Sequence, residues 1–279
     1  MYPELIIDLA KLRTNLDVLA ELANKADSSL MIVTKSFCAD KRIVQEILKH
    51  DAVQYVADSR VQNIVSYADV AHSAGKETVL LRLPMQSEAE EVVRCADISL
   101  NSEIETIRLL NREAGLQGKT HKVLLMVDLG DLREGMFFED EQAILDVCEE
   151  ILRMRHIQLF GVGTNLTCYG AIIPKPDNLG VLVSIAQKIE SRFHTTLSMV
   201  SGGNSSSVYL ISKGLLPERI NNLRLGEAFI LGNETAYTSR IPGTHNDCVR
   251  LRAEIIEHRK ALPSDWRGGR RCIRTRAGV

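Results

Sequence analysis

The sequence predicts a closed barrel of eight parallel strands, in which helices follow the strands. Between residues 30 and 225, eight short runs rich in apolar and β-branched residues alternate with longer stretches whose apolar residues recur at helical spacing. The 279 residues of the chain suffice for such a barrel, which takes about 250 residues. A doubly wound open sheet is the alternative, because periodicity alone does not show whether a sheet closes.

The individual elements follow from local pattern. LMIVTK, for example, begins with four apolar residues, two of them β-branched, and reads as a buried strand. The predicted strands span 30–35, 53–58, 78–83, 97–100, 122–129, 157–165, 197–202 and 220–225. Helical spacing is clearest over 102–115, 140–155 and 178–193, and the first of these has a predicted capping box of Ser102 and Glu105 and a predicted end at Gly115.

The pattern changes past residue 240. CVRLRAEIIEHRK, at 248–260, alternates apolar and polar residues like a strand, with no helix after it. The remaining segment has five arginines and few apolar residues, too few to form a core of its own. We therefore predict a barrel over 1–245 and, over 246–279, the first strand of a truncated C-terminal β domain plus a disordered arginine-rich tail, with the truncation or frame change from about Pro263.

Composition excludes several function classes. The formal net charge of −2 gives no general attraction to nucleic acid or anionic membranes. No apolar run approaches the roughly 20 residues of a membrane helix, and the N-terminus does not resemble a signal peptide. The six cysteines contain no CxxC pair and the seven histidines no HxH or HExxH spacing, so we expect no metal site and reduced thiols in a cytoplasmic protein.

A polar residue falls at or beside the C-terminal end of every predicted strand. In a closed barrel these ends share one face, which is where such barrels carry their active sites. A single charged residue at a strand end is usually a solvated loop residue, but eight together indicate a site. The eight are Lys35, Asp58, Arg82, Asn101, Asp128, Asn165, Ser201 and Arg224.

Two segments near the last strands predict a phosphate site. SGGNSSS, at 201–207, places glycines and hydroxyl donors at the start of a predicted helix, where backbone N–H groups favour an anion. Gly226 follows the eighth strand, and the loops after strands seven and eight form the usual phosphate cradle of this barrel. A plain helix cap explains the first segment alone, but the two together favour phosphate.

A lysine facing a phosphate site across a barrel mouth suggests pyridoxal phosphate, whose aldehyde condenses with an amine. We expect Lys35 to be desolvated among apolar neighbours, which favours the nucleophilic amine. A structural ion pair with Asp58 and an aldolase-type lysine are the alternatives for Lys35.

Several motifs together resemble a known family. They are VTKSF, ADSR, LRLP, LNSEIET, MVDLGDLREGM, GVGTNLTCYG, SGGNSSS and NNLRLGEA. The sequence resembles the alanine-racemase-type barrel of fold III pyridoxal phosphate enzymes, and most closely its ornithine racemase branch, over roughly residues 1–260. The resemblance implies a homodimer that acts on a small amino-acid substrate.

The resemblance also implies roles for particular residues. Lys35 would hold the cofactor and act as one of two bases, and Arg133 would lie near the substrate, so these two are the predicted catalytic residues. Arg224 would face the pyridine nitrogen; a guanidinium stays protonated, so the nitrogen would stay unprotonated and the cofactor would be a weaker electron sink. The predicted cofactor-binding set is Lys35, Asn165, Ser201, Asn204, Ser205, Arg224 and Gly226.

The chain departs from the family in two places. The racemases take a second base, a tyrosine, from the partner's C-terminal domain, which is nearly absent here; Cys168 and Tyr169 are candidates by chain position only. No tyrosine closely follows Lys35, which weakens an alanine assignment.

We therefore expect a racemase of ornithine or a related basic amino acid. Carboxylates near the mouth that would attract a side-chain ammonium are Asp131, Glu134 and Glu227. The alternatives are a non-catalytic pyridoxal phosphate-binding homeostasis protein and an alanine or broad-specificity racemase. A fold III decarboxylase lacks its expected glycine-rich phosphate run, and a metal-dependent hydrolase lacks its ligands.

Overall fold

Strand pairing runs around the molecule and closes on itself. The computed structural model describes residues 2–258. Its strands are β1 (Glu4–Ile7), β2 (Ser29–Val33), β3 (Val53–Asp58), β4 (Glu77–Leu80), β5 (Ile98–Asn101), β6 (His121–Asp128), β7 (Met136–Phe137), β8 (Ile157–Gly163), β9 (Met199–Asn204), β10 (Asn222–Leu225) and β11 (Val249–Arg252).

Eight of these strands pair in parallel in the order β2-β3-β4-β5-β6-β8-β9-β10, and β10 pairs with β2 to close the ring. The predicted barrel is confirmed and the open sheet is excluded. The short β7 pairs with β6 beside the ring.

Helices connect the strands on the outside of the barrel. They are α1 (Leu9–Lys25), α2 (Lys41–Leu48), α3 (Val61–Val65), α4 (Ala68–Ser73), α5 (Ala89–Cys95), α6 (Ile104–Leu116), α7 (Glu141–Arg153), α8 (Pro176–Phe193), α9 (Val208–Ser212) and α10 (Glu227–Leu231). Single 3₁₀ turns span Lys35–Phe37, Gln86–Glu88 and Ser205–Ser207. None of the helices within residues 2–258 is both long enough and apolar enough to cross a bilayer.

Apolar side chains form two cores, one on each side of the barrel wall. Successive residues of a strand point to opposite faces, so each strand contributes to both cores. The inner core fills the barrel with Met31, Val33, Ala57, Val79, Ile98, Leu100, Leu124, Met126, Phe160 and Met199. The larger outer core lies between the strands and the helices. The continuous apolar runs of the sequence are explained by this burial on both faces.

The start of α6 differs from the prediction. The N-cap is Glu103 rather than Ser102, and no side chain caps the helix, so the predicted capping box does not form. The helix also continues past Gly115 to Leu116. A Cβ at Gly115 would lie 2.9 Å from Cδ2 of His156, so this glycine allows close packing and does not end the helix.

The chain divides into two units. Residues 7–249, which include the whole barrel, form one of them. The other contains, within the described residues, 2–6 and 250–258, and most of the pairing of β1 with β11 belongs to this part of the chain. A strand over 248–260 was predicted; β11 spans only Val249–Arg252 of it, and β1 as its partner was not predicted. The predicted arginine-rich tail lies, from residue 259 onward, outside the described residues.

Candidate active site at the barrel mouth

A cavity of about 230 Å³ opens where the barrel strands end. Its lining comes from the last residues of β2, β5, β9 and β10 and from the segments that follow β2, β4, β6, β8, β9 and β10, so it lies at the carboxyl ends of the strands. Seven of the predicted site residues line it: Lys35, Arg133, Asn165, Asn204, Ser205, Arg224 and Gly226. A second cavity of about 460 Å³, here called the outer cavity, shares Lys35, Leu81, Arg133 and Glu134 with the first.

Lys35 is positioned by the residue before it. Thr34 is fully buried, and its hydroxyl donates to the Asp58 carboxylate at 2.5 Å while its N–H donates to the Ala57 carbonyl at 2.8 Å. These bonds fix the end of β2 against β3, and Lys35 then begins a 3₁₀ turn. Lys35 is exposed, so the expected desolvation among apolar neighbours is wrong.

Arg224 lies on the inner face of β10. Its neighbours Leu223 and Leu225 pack in the outer core, so Arg224 points into the barrel, where it is only 5% exposed. Its guanidinium donates to the Ser201 hydroxyl and to the Thr164 carbonyl, both at 2.6 Å. Burial lowers the pKa of Arg224 to about 10, which leaves it charged at neutral pH. Ser201 does not line the cavity; it is fully buried and holds Arg224.

The SGGNSSS segment turns sharply after β9. The Asn204 side chain accepts from the Ser206 N–H at 2.8 Å and donates to the Leu166 carbonyl at 2.8 Å, so it joins this turn to the loop after β8. The Ser205 hydroxyl accepts from the N–H of Ala228, in α10, at 3.1 Å. A hydroxyl that accepts one bond still has a proton to donate. The loops after β9 and β10 are thereby held together around the cavity.

Several buried polar atoms at this end of the barrel lack a hydrogen-bond partner among the described residues. Three of them are Asn165 Nδ2, Ser206 Oγ and Thr164 Oγ1, which belong to the segments after β8 and β9; Asn101 Oδ1, at the end of β5, is a fourth such atom. A buried polar group without a partner costs about 1–3 kcal/mol, so native structures rarely keep one without a reason. Asn165 itself lines the cavity. Orphaned donors beside an exposed lysine, a buried arginine and a small cavity fit a bound polar cofactor.

Arg133 and Glu134 form an adjacent ion pair on the loop after β6. Arg133 Nε lies 2.8 Å from Glu134 Oε2, and the two side chains are 41% and 16% exposed. Burial raises the pKa of Glu134, and the positive charges of Arg133, Arg224 and Lys35 oppose that rise. The Glu134 carboxylate therefore interacts electrostatically with the cations of the mouth.

Asp131 has a structural role. It is fully buried, and its carboxylate accepts from the N–H groups of Cys168, Tyr169 and Ile172 at 3.1–3.4 Å. These bonds join the loop after β6 to the loop after β8. Cys168 lines the cavity as a result, whereas Tyr169 is 75% exposed and does not line it. Asp131 is therefore not available to an ammonium group in the cavity.

Half of the eight polar strand-end residues do not line either cavity. Asp58 accepts from Thr34, from the Arg60 N–H and from Asn63. Asp128 accepts from two N–H groups of the following loop. Asn101 donates to Ser99 within its own strand, and Ser201 supports Arg224. Arg82 lines the outer cavity and pairs with Glu88.

Thr167 and Thr235 also line the cavity and were not predicted. Thr235 lies past α10, which ends at Gly232 in a left-handed conformation with φ +64°. The glycine was a sequence signal for the helix end, but nothing local indicates that the chain then returns to the mouth.

Comparisons with known proteins identify the family. The family model described as alanine racemase, N-terminal domain, matches residues 7–233. The chain is 48% identical to an ornithine racemase of Acetoanaerobium sticklandii over 257 residues, which cover 92% of this chain and 71% of that one. It is 32% identical to a lysine racemase of Thermotoga maritima over 96% of this chain and 74% of the relative.

Solved structures show the same fold. The alanine racemase of Clostridium difficile 630, in complex with cycloserine, matches 93% of this chain and 70% of its own with a TM-score of 0.73 and 17% identity. The alanine racemase of Bartonella henselae, with covalently bound pyridoxal phosphate, matches 91% and 67% with a TM-score of 0.68 and 16% identity.

The fold and site define a barrel of the fold III pyridoxal phosphate class. The chain belongs to the family that carries the alanine racemase N-terminal domain. The predicted resemblance is confirmed, and both sequence relatives are amino-acid racemases, as the predicted class of enzyme requires.

Proposed function

We propose that this chain is a pyridoxal phosphate-dependent amino-acid racemase whose substrate is ornithine or a related basic amino acid. The observation that carries the proposal is the mouth cavity, where Lys35, Arg224 and the orphaned amide of Asn165 lie in a chain 48% identical to an ornithine racemase. The Bartonella henselae relative, of the same fold, holds the cofactor covalently.

The two basic residues at the reacting centre have separate tasks. Bound pyridoxal phosphate withdraws electrons from the substrate Cα and makes its proton acidic. Lys35 holds the cofactor and then takes or returns that proton as a base on one face of the substrate. Arg224 is fixed by Ser201 and Thr164 and stays charged, so it would be the donor to the ring nitrogen of the cofactor and would keep that nitrogen unprotonated.

The remaining residues hold the ends of the ligands. Ser205, with its spare proton, and Gly226 form the phosphate end of the site, and Asn204 sets the shape of that turn. The amide group of Asn165, whose hydrogens have no partner among the described residues, would donate to the cofactor. Arg133, which lines the cavity, would bind the substrate carboxylate, to which a guanidinium binds in a bidentate manner.

We propose the following domain and subunit organisation. The barrel, over 1–245, binds the cofactor, and two such chains form a homodimer in the cytoplasm. The family resemblance supports the dimer. The five cysteines within the described residues are free thiols, which suits a reducing compartment.

The test is incubation of the full chain with L-ornithine and pyridoxal phosphate, followed by chiral chromatography. We expect D-ornithine, and we expect borohydride to fix the cofactor on the peptide that contains Lys35, as read by mass spectrometry. Lys35→Ala should lose both signals, whereas Lys41→Ala, an exposed lysine at the start of α2, should keep them.

Two outcomes would contradict the proposal in different ways. Cofactor fixed at Lys35 without D-ornithine would identify a cofactor-binding protein that is not a racemase. Cofactor absent from Lys35 would refute the whole assignment.

A further inference from the structure

The cavity lining contains few carboxylates, and they differ in environment. Two acidic residues, Glu134 and Glu227, line the cavity at the barrel mouth. Of these two, only Glu134 also lines the outer cavity. Glu227 is exposed, whereas the Glu134 side chain is only 16% exposed. A charge withdrawn from water interacts more strongly, because solvent and salt screen it less. Glu134 is therefore the stronger site for a cation.

The geometry of Glu134 leaves it able to bind a further donor. Arg133 Nε engages one oxygen, Oε2, at 2.8 Å. A carboxylate has about four acceptor positions, so Oε1 keeps capacity for an ammonium group. The ion pair also restricts the rotamers of Glu134, which reduces the entropy that binding must overcome.

The cations around Glu134 affect which substrate side chains can bind in the outer cavity. The outer cavity is lined by Lys35, Arg60, Arg82 and Arg133, and Arg82 is paired with Glu88. Among the described residues that line the outer cavity, Glu134 is the one carboxylate, so it is where an ammonium that enters this space would find an opposite charge. The acidic side chain of a substrate such as glutamate would instead bind to these cations. Selection by Glu134 therefore predicts that the protein prefers basic amino acids, whereas selection by the cations predicts that it prefers acidic ones.

We propose that Glu134 binds the side-chain ammonium of a basic amino-acid substrate and so determines specificity for a diamino acid. The proposal rests on the proposed function and names the residue that selects its substrate. The α-carboxylate lies toward Arg133, and the side chain extends along the boundary of the two cavities to Glu134.

Calorimetric binding to the cofactor-loaded protein tests this directly. Racemic ornithine is the probe, because an equal mixture of enantiomers gives no net racemisation and the heat reports binding alone. Norvaline, which has the same carbon chain without the terminal amine, is the matched ligand. Glu134→Gln should weaken ornithine binding by about 10- to 100-fold, as the loss of one charged hydrogen bond predicts, and change norvaline binding less than about twofold.

A second variant keeps the test informative if the first folds poorly. Glu134→Asp retains the carboxylate on a side chain that is one methylene shorter. The binding preference of the protein should therefore move from ornithine toward lysine, whose side chain is one methylene longer. Glu227→Gln is the rival carboxylate and should have the smaller effect on ornithine.

Three results would overturn the proposal. Equal losses of ornithine and norvaline in Glu134→Gln would show that Glu134 only supports Arg133. A larger loss in Glu227→Gln would move the site to that residue. Tighter binding of glutamate than of ornithine by the wild type would show that the cations select an acidic substrate. Racemisation of ornithine by the wild type is measured separately, so failure of the proposed function is distinguishable from each of these.

Discussion

Two buried basic side chains lie on opposite faces of the barrel wall and experience the same physical effect with different results. Arg224 points into the barrel, whereas His121 shares the outer face of β6 with Val123 and Leu125. Burial lowers the pKa of Arg224 from 12.5 to about 10 and that of His121 from 6.5 to about 4. The decreases are similar, but only Arg224 remains charged at neutral pH.

The difference shows why the mouth requires an arginine. Burial lowers the pKa of a cationic group, and the group stays charged only if its lowered pKa is still above the surrounding pH. Arg224 satisfies this condition and also donates to Ser201 and Thr164. His121 does not satisfy it, and as a neutral ring 2.7 Å from the Ser99 hydroxyl it contributes to stability instead.

The largest expected effect comes from placing at position 224 the residue type that is buried on the outer face at position 121, a histidine. Arg224→His introduces a group that burial should leave uncharged at neutral pH. We expect kcat to fall by about 100- to 1,000-fold, the usual consequence of removing one pre-oriented electrostatic donor. Racemisation kinetics at neutral pH measure the effect.

Arg224→Lys is the control, because it retains a charge without the planar fork of donors. It should be less impaired than Arg224→His. Equal activities of the two variants would show that the charge at this position does not matter.

The next effect concerns the pH dependence of stability. The pKa of His121 is depressed to about 4 by burial, so its contribution is fully present above about pH 6.5 and is lost as the pH falls through 4. The full contribution is about 3 kcal/mol, on the basis of 1.4 kcal/mol per pKa unit. Urea unfolding at a series of pH values should show this loss, and His121→Gln should reduce the slope between pH 6.5 and 4. An unchanged slope would mean that other groups account for acid unfolding.

The smallest effect is at the support of Arg224. Ser201→Ala removes the hydroxyl that accepts from Arg224 and donates to Asn222 at 2.7 Å. Two buried groups then lose a partner, and we expect a loss of about 2 kcal/mol in the free energy of unfolding, measured with urea. Ser66→Ala, at an exposed hydroxyl, is the matched control and should change stability by less than about 0.5 kcal/mol. A wild-type stability for Ser201→Ala would show that water replaces the hydroxyl.

The barrel was predictable from the sequence because its physical basis is local. A parallel strand buried on both faces requires a continuous apolar run, and each of the eight runs became a strand within a few residues of its predicted bounds. The pairing of β1 with β11 was not predictable, since it joins segments more than 200 residues apart and neither segment signals the other.

The site was predictable only in part, for a reason that the strand-end residues illustrate. Arg224 and Asp58 both lie at or beside the ends of strands, yet Arg224 lies on the inner face and lines the cavity, whereas Asp58 fixes the end of β2 before Lys35. Residue type does not distinguish these roles, because the face depends on the register of the strand. Residues such as Lys35 and Arg133 were found through several motifs taken together, while Thr235 had no comparable signal.

The carboxylate of Asp131 has a mechanical consequence for the mouth. It lies two residues before Arg133 and bonds to the N–H of Cys168, which is 37 residues further along the chain. The segments that carry Arg133 and Cys168 form different walls of the cavity, and this one buried side chain fastens them together. A displacement of either wall is thereby transmitted to the other, so the width of the entrance is set jointly by two distant stretches of sequence.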